Sequence, residues 1–288
     1  NVGIKTAAAQ NMVAVNFISQ TLGVDISWLD WFIAAAPFAV LMSAALYKLM
    51  LHIMPPEIDE IAGGQATVTR LLKEMGKISA DELKLLVISL CLLFFWTTEK
   101  VLHSIDTSTS TMVAITLLML PKIGVMHWNE TVINWGTVVL FGVGISLGSA
   151  LLSTKAATWL ANQIVSIFAL ESSTTLMVLA IMTVFLIVIH MGFASATGLA
   201  SAIIPIIISV LQQLKTPGVN VVGMTMILQY VVSFGFILPV NAPQNMIAYG
   251  TDTFEVNDFV KSGIPLTLIA FALIMLLGAT YWKWMGLV

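Results

Sequence analysis

Long runs of hydrocarbon side chains, broken at few points by hydroxyls, amides and glycines, set the pattern of this chain. The runs are Trp28 to Met54, Leu85 to Thr97, Thr109 to Leu120, Ile133 to Leu152, Leu176 to Ile189, Ala202 to Leu211, Val221 to Val240 and Gly263 to Tyr281. None alternates with the period of a barrel strand. The pattern therefore predicts an all-α polytopic membrane protein. Two of the runs, at 176–189 and 202–211, fall short of the about 20 apolar residues that a crossing needs. Between them lies His190-Met-Gly-Phe-Ala-Ser-Ala-Thr-Gly198, with Ser195 and Thr197 at its centre. We read 176–211 as a re-entrant helical hairpin that enters and leaves on one side. Irregular backbone at membrane depth is tolerated where it is buried in protein or lines a polar cavity, which makes the tip a candidate binding site.

The ends of the runs fit this reading. Trp28 and Trp31 open the first long span, and Tyr47, Lys48 and His52 close it, as interfacial aromatics and snorkelling cations do. Pro55-Pro56 stops it. Glu57 to Lys84 is the long polar stretch; Leu71, Leu72 and Met75 in it have helical spacing, which predicts an amphipathic surface helix. Its Arg70, Lys73, Lys77 and Lys84 place this linker in the cytoplasm by the positive-inside rule. Gly136, Gly142, Gly144 and Gly148 line the run at 133–152, where small residues allow close helix approach.

Composition narrows the function classes. At 58% hydrophobic and 9% charged residues, the chain is no ordinary soluble domain. The net charge of -3 and the lack of a basic run give no footprint for nucleic acid. Cys91, the single cysteine, sits in an apolar run, reads as a core residue and can form no intrachain disulfide. The opening NVGIKTAAAQN has no methionine and no signal peptide, so we expect a piece of a longer chain whose amino-terminal half is missing. No phosphate-binding glycine loop argues for a primary pump. Ser195 lacks the Gly-x-Ser-x-Gly setting of a hydrolase, so no catalytic residue is assigned and the chain is read as no enzyme. His52, His103 and His127 lack metal-ligand spacing, so no metal or other cofactor is expected. Asp252 and Asp258 read as solvated loop residues.

An internal repeat is the sharper signal. Gln10-Asn11-Met12-Val13-Ala14 recurs as Gln244-Asn245-Met246-Ile247-Ala248, and each copy is followed by a polar break and an aromatic-ended span. Repeats with helices broken near the midplane are a plan of secondary transporters, with substrate held where the repeats face each other. The chain then divides into the end of a first repeat at 1–54, the amphipathic linker at 55–84, scaffold-type helices at 85–153, and a second repeat at 154–288. The second repeat holds the hairpin at 176–211, a broken helix at 221–250 and a last span.

In this order INWGTVVLFGVGISLGSAL, the tip Ser195-Ala196-Thr197 and ILPVNAPQNMIAYG resemble the carboxy-terminal part of the divalent anion/sodium symporter family, dicarboxylate and citrate carriers among them. The resemblance implies a homodimer in the cell membrane with several crossings, a scaffold domain, and an elevator-like domain that carries a di- or tricarboxylate between two hairpin tips. Transferred by position, the substrate-binding residues are Ser195, Ala196 and Thr197 at the tip, Asn241, Ala242, Pro243 and Asn245 in the second loop, and Ala8 and Asn11 in the first. This sequence departs from the family where sodium is held. Ala196 replaces the usual asparagine, Gln10 and Gln244 replace a proline, and Met191 stands where sodium-coupled members have a hydroxyl ligand. A thioether is a poor ligand for a hard cation.

Two cations stand beside those positions, Lys5 before the first loop and His190 before the tip. An ionisable side chain inside a membrane is a functional-site candidate by default. We expect Lys5 and His190 to supply fixed positive charge in place of sodium and to balance a dicarboxylate. The expected function is exchange of small dicarboxylates of C4–C5 type, such as malate, succinate or 2-oxoglutarate. A sodium-coupled di- or tricarboxylate symporter is the close alternative, with sodium its only cofactor; proton coupling through His190 is another coupling mode. A non-transporting membrane scaffold or subunit is the alternative of another class.

Overall fold

The computed structural model describes residues 1–56, 58, 63–214, 216 and 218–288. The described residues form helices joined by short turns: α1 Ala9–Leu22, α2 Trp28–Ile53, α3 Gly64–Met75, α4 Ala80–Thr98, α5 Thr107–Met119, α6 Trp135–Ser153, α7 Ala156–Ile167, α8 Thr175–His190, α9 Ala196–Gln213, α10 Val221–Val232, α11 Pro243–Tyr249, α12 Val256–Ala279 and α13 Tyr281–Trp284. Among the described residues, four segments are long and apolar enough to cross a membrane, at Trp28–Ile53, Trp135–Ser153, Ala196–Gln213 and Val256–Trp284. The chain divides into two compact units, one of Asn1–Ile26, Asp30–Ile53 and Asn134–Val288, the other of Ser27–Leu29 and Met54–Ile133.

In the first unit α9 is the central element. It packs on α6, α7, α1 and α10, while α8 packs on α10 and α12. Its run AIIPIIISVL is apolar on every side, as a helix surrounded by others requires, and Ile204, Ile207, Ile208 and Val210 are fully buried. The hydroxyls of Ser201 and Ser209 stay satisfied within the helix by donating to the carbonyls of Thr197 and Pro205, each at 2.9 Å. Small residues make the close approaches. A side chain at Gly144 would run into Ser201 of α9, and one at Gly148 into the ring of Phe17 on α1.

Proline chemistry ties the end of the chain to α2. Pro37 lies inside α2 and has no amide to give the carbonyl of Ile33, one helical turn earlier. The Tyr281 hydroxyl donates to that carbonyl at 2.9 Å, and Trp282 Nε1 donates to the next one, Ala34, at 2.8 Å. Trp282, Tyr230, Trp31, Phe38 and Phe234 form a continuous aromatic cluster with ring centroids 5.2–6.4 Å apart.

In the second unit α4 and α5 pack together. A reciprocal cap starts α4: the Ser79 hydroxyl accepts from the Glu82 amide and the Glu82 carboxylate from the Ser79 amide. The Asp106 carboxylate accepts from the amides of Ser108 and Thr109 at the start of α5. The Thr109 hydroxyl is the main reason its carboxyl titrates below the ordinary aspartate range. The linker helix α3 buries none of its residues; residues 57 and 59–62 of the expected linker lie outside the described set.

Several expectations need correction. The second hairpin arm is longer than expected, because helix begins at Ala196 and runs for 18 residues. Only α8, with 16 residues, is a short arm. The helix expected to be broken over 221–250 breaks earlier than the Asn241–Asn245 loop: α10 ends at Val232, and the stretch through Gly235 and Pro239 is irregular up to a single 3-10 turn. Contacts group α6 with the hairpin helices rather than with α4 and α5, so the unit boundary falls before Asn134. Cys91 is exposed, not core. Asp258 closes a reciprocal cap on α12 and pairs with Lys261 at 3.6 Å, so it does more than meet solvent.

Candidate functional site

The two copies of the repeat fold alike. In the first, a 3-10 turn at Lys5–Ala7 leads through extended Ala8 (φ -148°, ψ 138°) into α1. In the second, a 3-10 turn at Pro239–Asn241 leads through extended Ala242 (φ -148°, ψ 141°) into α11. The turn amides match as well: Ala7 donates to Ile4 and Asn241 to Leu238, both at 3.1 Å. Each loop therefore ends on the positive end of a helix, where backbone N–H groups suit an anion.

The tip and the second loop are joined by Asn241. Its side-chain amide donates to the carbonyls of His190 at 3.0 Å and Phe193 at 2.9 Å, so the turn between α8 and α9 cannot move without the loop. Ser195 is the N-cap of α9, its hydroxyl accepting from the Gly198 amide at 3.2 Å. Ala196 is buried in the first turn and Thr197 is half-buried. The tip is thus narrower than the sequence alone implies, since Thr197 stands on helix rather than in the turn. Met191 is exposed at the tip. Asn245 donates to the Gly235 carbonyl at 2.7 Å; Pro243 opens α11, with its side chain outside the described set.

Both cationic candidates are buried, with Lys5 5% and His190 2% exposed. The Lys5 ammonium donates to the Ile26 carbonyl at 2.7 Å. Neither ring nitrogen of His190 has a hydrogen-bond partner among the described residues. A buried imidazole with both nitrogens unmet is costly and stands ready for a polar partner.

Asn11 is fully buried. It donates to the carbonyls of Asn1 and Ile4 and accepts from Gln229 of α10 at 3.4 Å. Gln10 donates to the Ser233 hydroxyl at 3.4 Å. Sequence reasoning missed Gln229 and Ser233, which tie the first loop to the second repeat. The signal was there for Gln229, a lone amide in the apolar run VVGMTMILQYVV. Its Oε1 has no partner among the described residues. Among those residues, no group of three or more His, Cys, Asp or Glu side chains is placed to hold a metal ion.

Helices of membrane-crossing length, paired broken helices and buried polar loops at their breaks define an α-helical membrane protein with a transporter-like interior. Comparison with known proteins gives the family. A model described as the sodium:sulfate symporter transmembrane region matches residues 1–288, and the chain belongs to that family, the divalent anion/sodium symporters that the sequence resembles. It is a family of transporters, not enzymes. Over 289 residues the chain is 52% identical to a membrane protein of Cupriavidus necator, covering 99% of this chain and 56% of that one. It is 24% identical to the chloroplastic dicarboxylate transporter 2.1 of Arabidopsis thaliana, covering 98% of this chain and 50% of the relative. It is also 24% identical to the sodium-dependent dicarboxylate transporter SdcS of Staphylococcus saprophyticus, covering 88% and 51%. The chain spans about half the length of these relatives.

Proposed function

We propose that this chain is the substrate-carrying part of a multi-pass cell-membrane transporter that exchanges small dicarboxylates of C4–C5 type across the bilayer by an elevator motion, in a homodimer. The remaining half of the full-length protein supplies the first hairpin tip in this reading. The dicarboxylate transporters among its relatives support the substrate class.

The observation that carries the reading is the burial of two ionisable side chains at the loops, Lys5 and His190, which we take as the source of positive charge when an anion is bound. A dicarboxylate brings two negative charges into low dielectric, and unless they are neutralised the cost is prohibitive. Sodium would be the usual countercharge, but the side chains of Met191 and Ala196 offer it no oxygen. A covalently fixed countercharge has a kinetic consequence. A charge that cannot dissociate makes the empty and the loaded site differ in net charge as they cross, so return without substrate is slow. Such a carrier exchanges one anion for another. Ser195, Thr197 and the helix ends after Ala8 and Ala242 then orient the carboxylates.

The sodium-coupled reading has one specific support, the relative named as sodium-dependent. The test is neutralisation of the pair in the reconstituted full-length protein. In Lys5→Met and His190→Gln, exchange of labelled dicarboxylate is expected to fall at least about tenfold while the protein remains folded, each lost charge contact being worth about 1.5–3 kcal/mol. Unchanged exchange in the double variant overturns the charge role.

A further inference from the structure

Gln229 is an amide set in hydrocarbon. It stands in the apolar run of α10, VVGMTMILQYVV, and is fully buried. A buried amide costs free energy unless a partner meets it, and here the partner belongs to the other repeat: Gln229 Nε2 donates to Asn11 Oδ1 at 3.4 Å. The direction of that bond is dictated from the first loop. The carbonyls of Asn1 and Ile4 can only accept, so they draw Asn11 Nδ2 toward themselves, at 3.3 and 3.2 Å, and turn Asn11 Oδ1 toward α10. That oxygen can only accept in its turn. Gln229 must therefore offer its N–H, which leaves its own Oε1 without a partner among the described residues. A side chain that merely filled this space would be better served by an apolar residue of the same size.

What the relay holds is the peptide that leads into Lys5. The Ile4 carbonyl accepts twice, from Asn11 Nδ2 and from the Ala7 amide at 3.1 Å, and the second bond closes the 3-10 turn Lys5–Ala7. A second tie runs beside the first: Gln10 donates at 3.4 Å to Ser233, one helical turn after Gln229. Neighbouring residues at the start of α1 thus meet successive turns at the end of α10. In the second loop Pro239 takes the place of Lys5, Gln244 is exposed, and Asn245 bonds to Gly235 of its own repeat. The loop that carries the lysine is the one stapled across the repeats. The staple lands on α10, which packs on α8 and α9, the two arms of the hairpin.

We propose that Gln229 is a positioning residue for Lys5. Through Asn11 and the Ile4 peptide it fixes where the lysine turn stands relative to the hairpin arms, and so sets the affinity for the anion; the second half of this rests on the transport reading above.

The test is a double-mutant cycle on equilibrium dicarboxylate binding to full-length protein in lipid nanodiscs, with amide hydrogen exchange over residues 4–8 read in parallel. Gln229→Met keeps the volume and removes the donor. It is expected to weaken binding about tenfold by misplacing the lysine, and to raise exchange over 4–8 about fivefold, the scale of one hydrogen bond. In a Lys5→Met background, Gln229→Met is expected to leave binding unchanged, since no lysine remains to be positioned. A merely structural role would weaken binding by the same factor in both backgrounds. That equal loss, or exchange over 4–8 as in the parent, overturns the proposal. If Gln229→Met does not fold, Gln229→Asn decides: it keeps the amide but is one methylene too short to reach Asn11, so the same rise in exchange supports the relay and none overturns it. Parent protein that binds no dicarboxylate would count against the transport reading alone, and the exchange result would then decide whether Gln229 holds the lysine turn.

Discussion

Asn11 and Asn245 make the same bond in the two repeats: each sends its side-chain N–H to the backbone carbonyl ten residues earlier, Asn11 to Asn1 at 3.3 Å and Asn245 to Gly235 at 2.7 Å. Asn11 carries more. It also donates to Ile4 and accepts from Gln229, and it is fully buried where Asn245 is half-buried. Asn11→Ala is therefore expected to lower stability by about 2–4 kcal/mol and Asn245→Ala by about 1 kcal/mol, because only the first leaves several buried groups unmet. Thermal unfolding midpoints of the full-length variants in detergent check the order; equal losses would contradict it.

The proline in α2 predicts a coupled pair. Tyr281→Phe removes the donor to Ile33 and is expected to cost about 1 kcal/mol in the parent. In a Pro37→Ala background, the new amide at position 37 can take that carbonyl, and Tyr281→Phe should then cost close to nothing. A double-mutant cycle on unfolding free energies measures the coupling. Additive losses would mean that Tyr281 does not substitute for the missing helix bond.

Glycines on one helix should differ by position. Gly148 faces the Phe17 ring with no room for a methyl, while nothing lies within 4 Å of a methyl at Gly142. Gly148→Ala is expected to destabilise by about 1–3 kcal/mol through overpacking. Gly142→Ala is expected to be neutral or to stabilise by up to about 1 kcal/mol through helix propensity. Comparison of their melting temperatures tests this, and the reverse order would place α6 on a different face.

Much of this was legible in the sequence, and the physics says why. Membrane helices announce themselves by composition, so the all-α class followed from the apolar runs. The repeat followed from Gln10-Asn11 and Gln244-Asn245, whose loops share their backbone geometry. Helix ends were harder. Hydropathy averages over hydroxyls and small residues, so it hid the start of α9 at Ala196–Ser201, which Ser195 caps. It also extended α10 past Val232, because Phe234, Phe236 and Ile237 continue the apolar run after the helix stops. Pairings distant in sequence, such as Gln229 with Asn11 or Glu99 with Trp28, depend on packing that no local pattern encodes.

Asn241 gives a functional prediction at the tip. Its bonds to His190 and Phe193 fix the turn that carries Ser195. Asn241→Ala is expected to cost about 1–3 kcal/mol and to weaken dicarboxylate binding about tenfold by loosening the tip. Equilibrium binding to the purified full-length protein reads the second effect directly. Binding as tight as in the parent would separate the loop from the site.

The most direct test of the fixed-charge account is uptake of labelled dicarboxylate by full-length protein in liposomes, with and without internal dicarboxylate, each with and without a sodium gradient. The account predicts uptake that requires internal anion and ignores sodium, with Lys5 and His190 as the countercharge. Sodium-driven uptake into empty liposomes would contradict it, and would mean that ligands elsewhere in the protein hold sodium in spite of Met191 and Ala196.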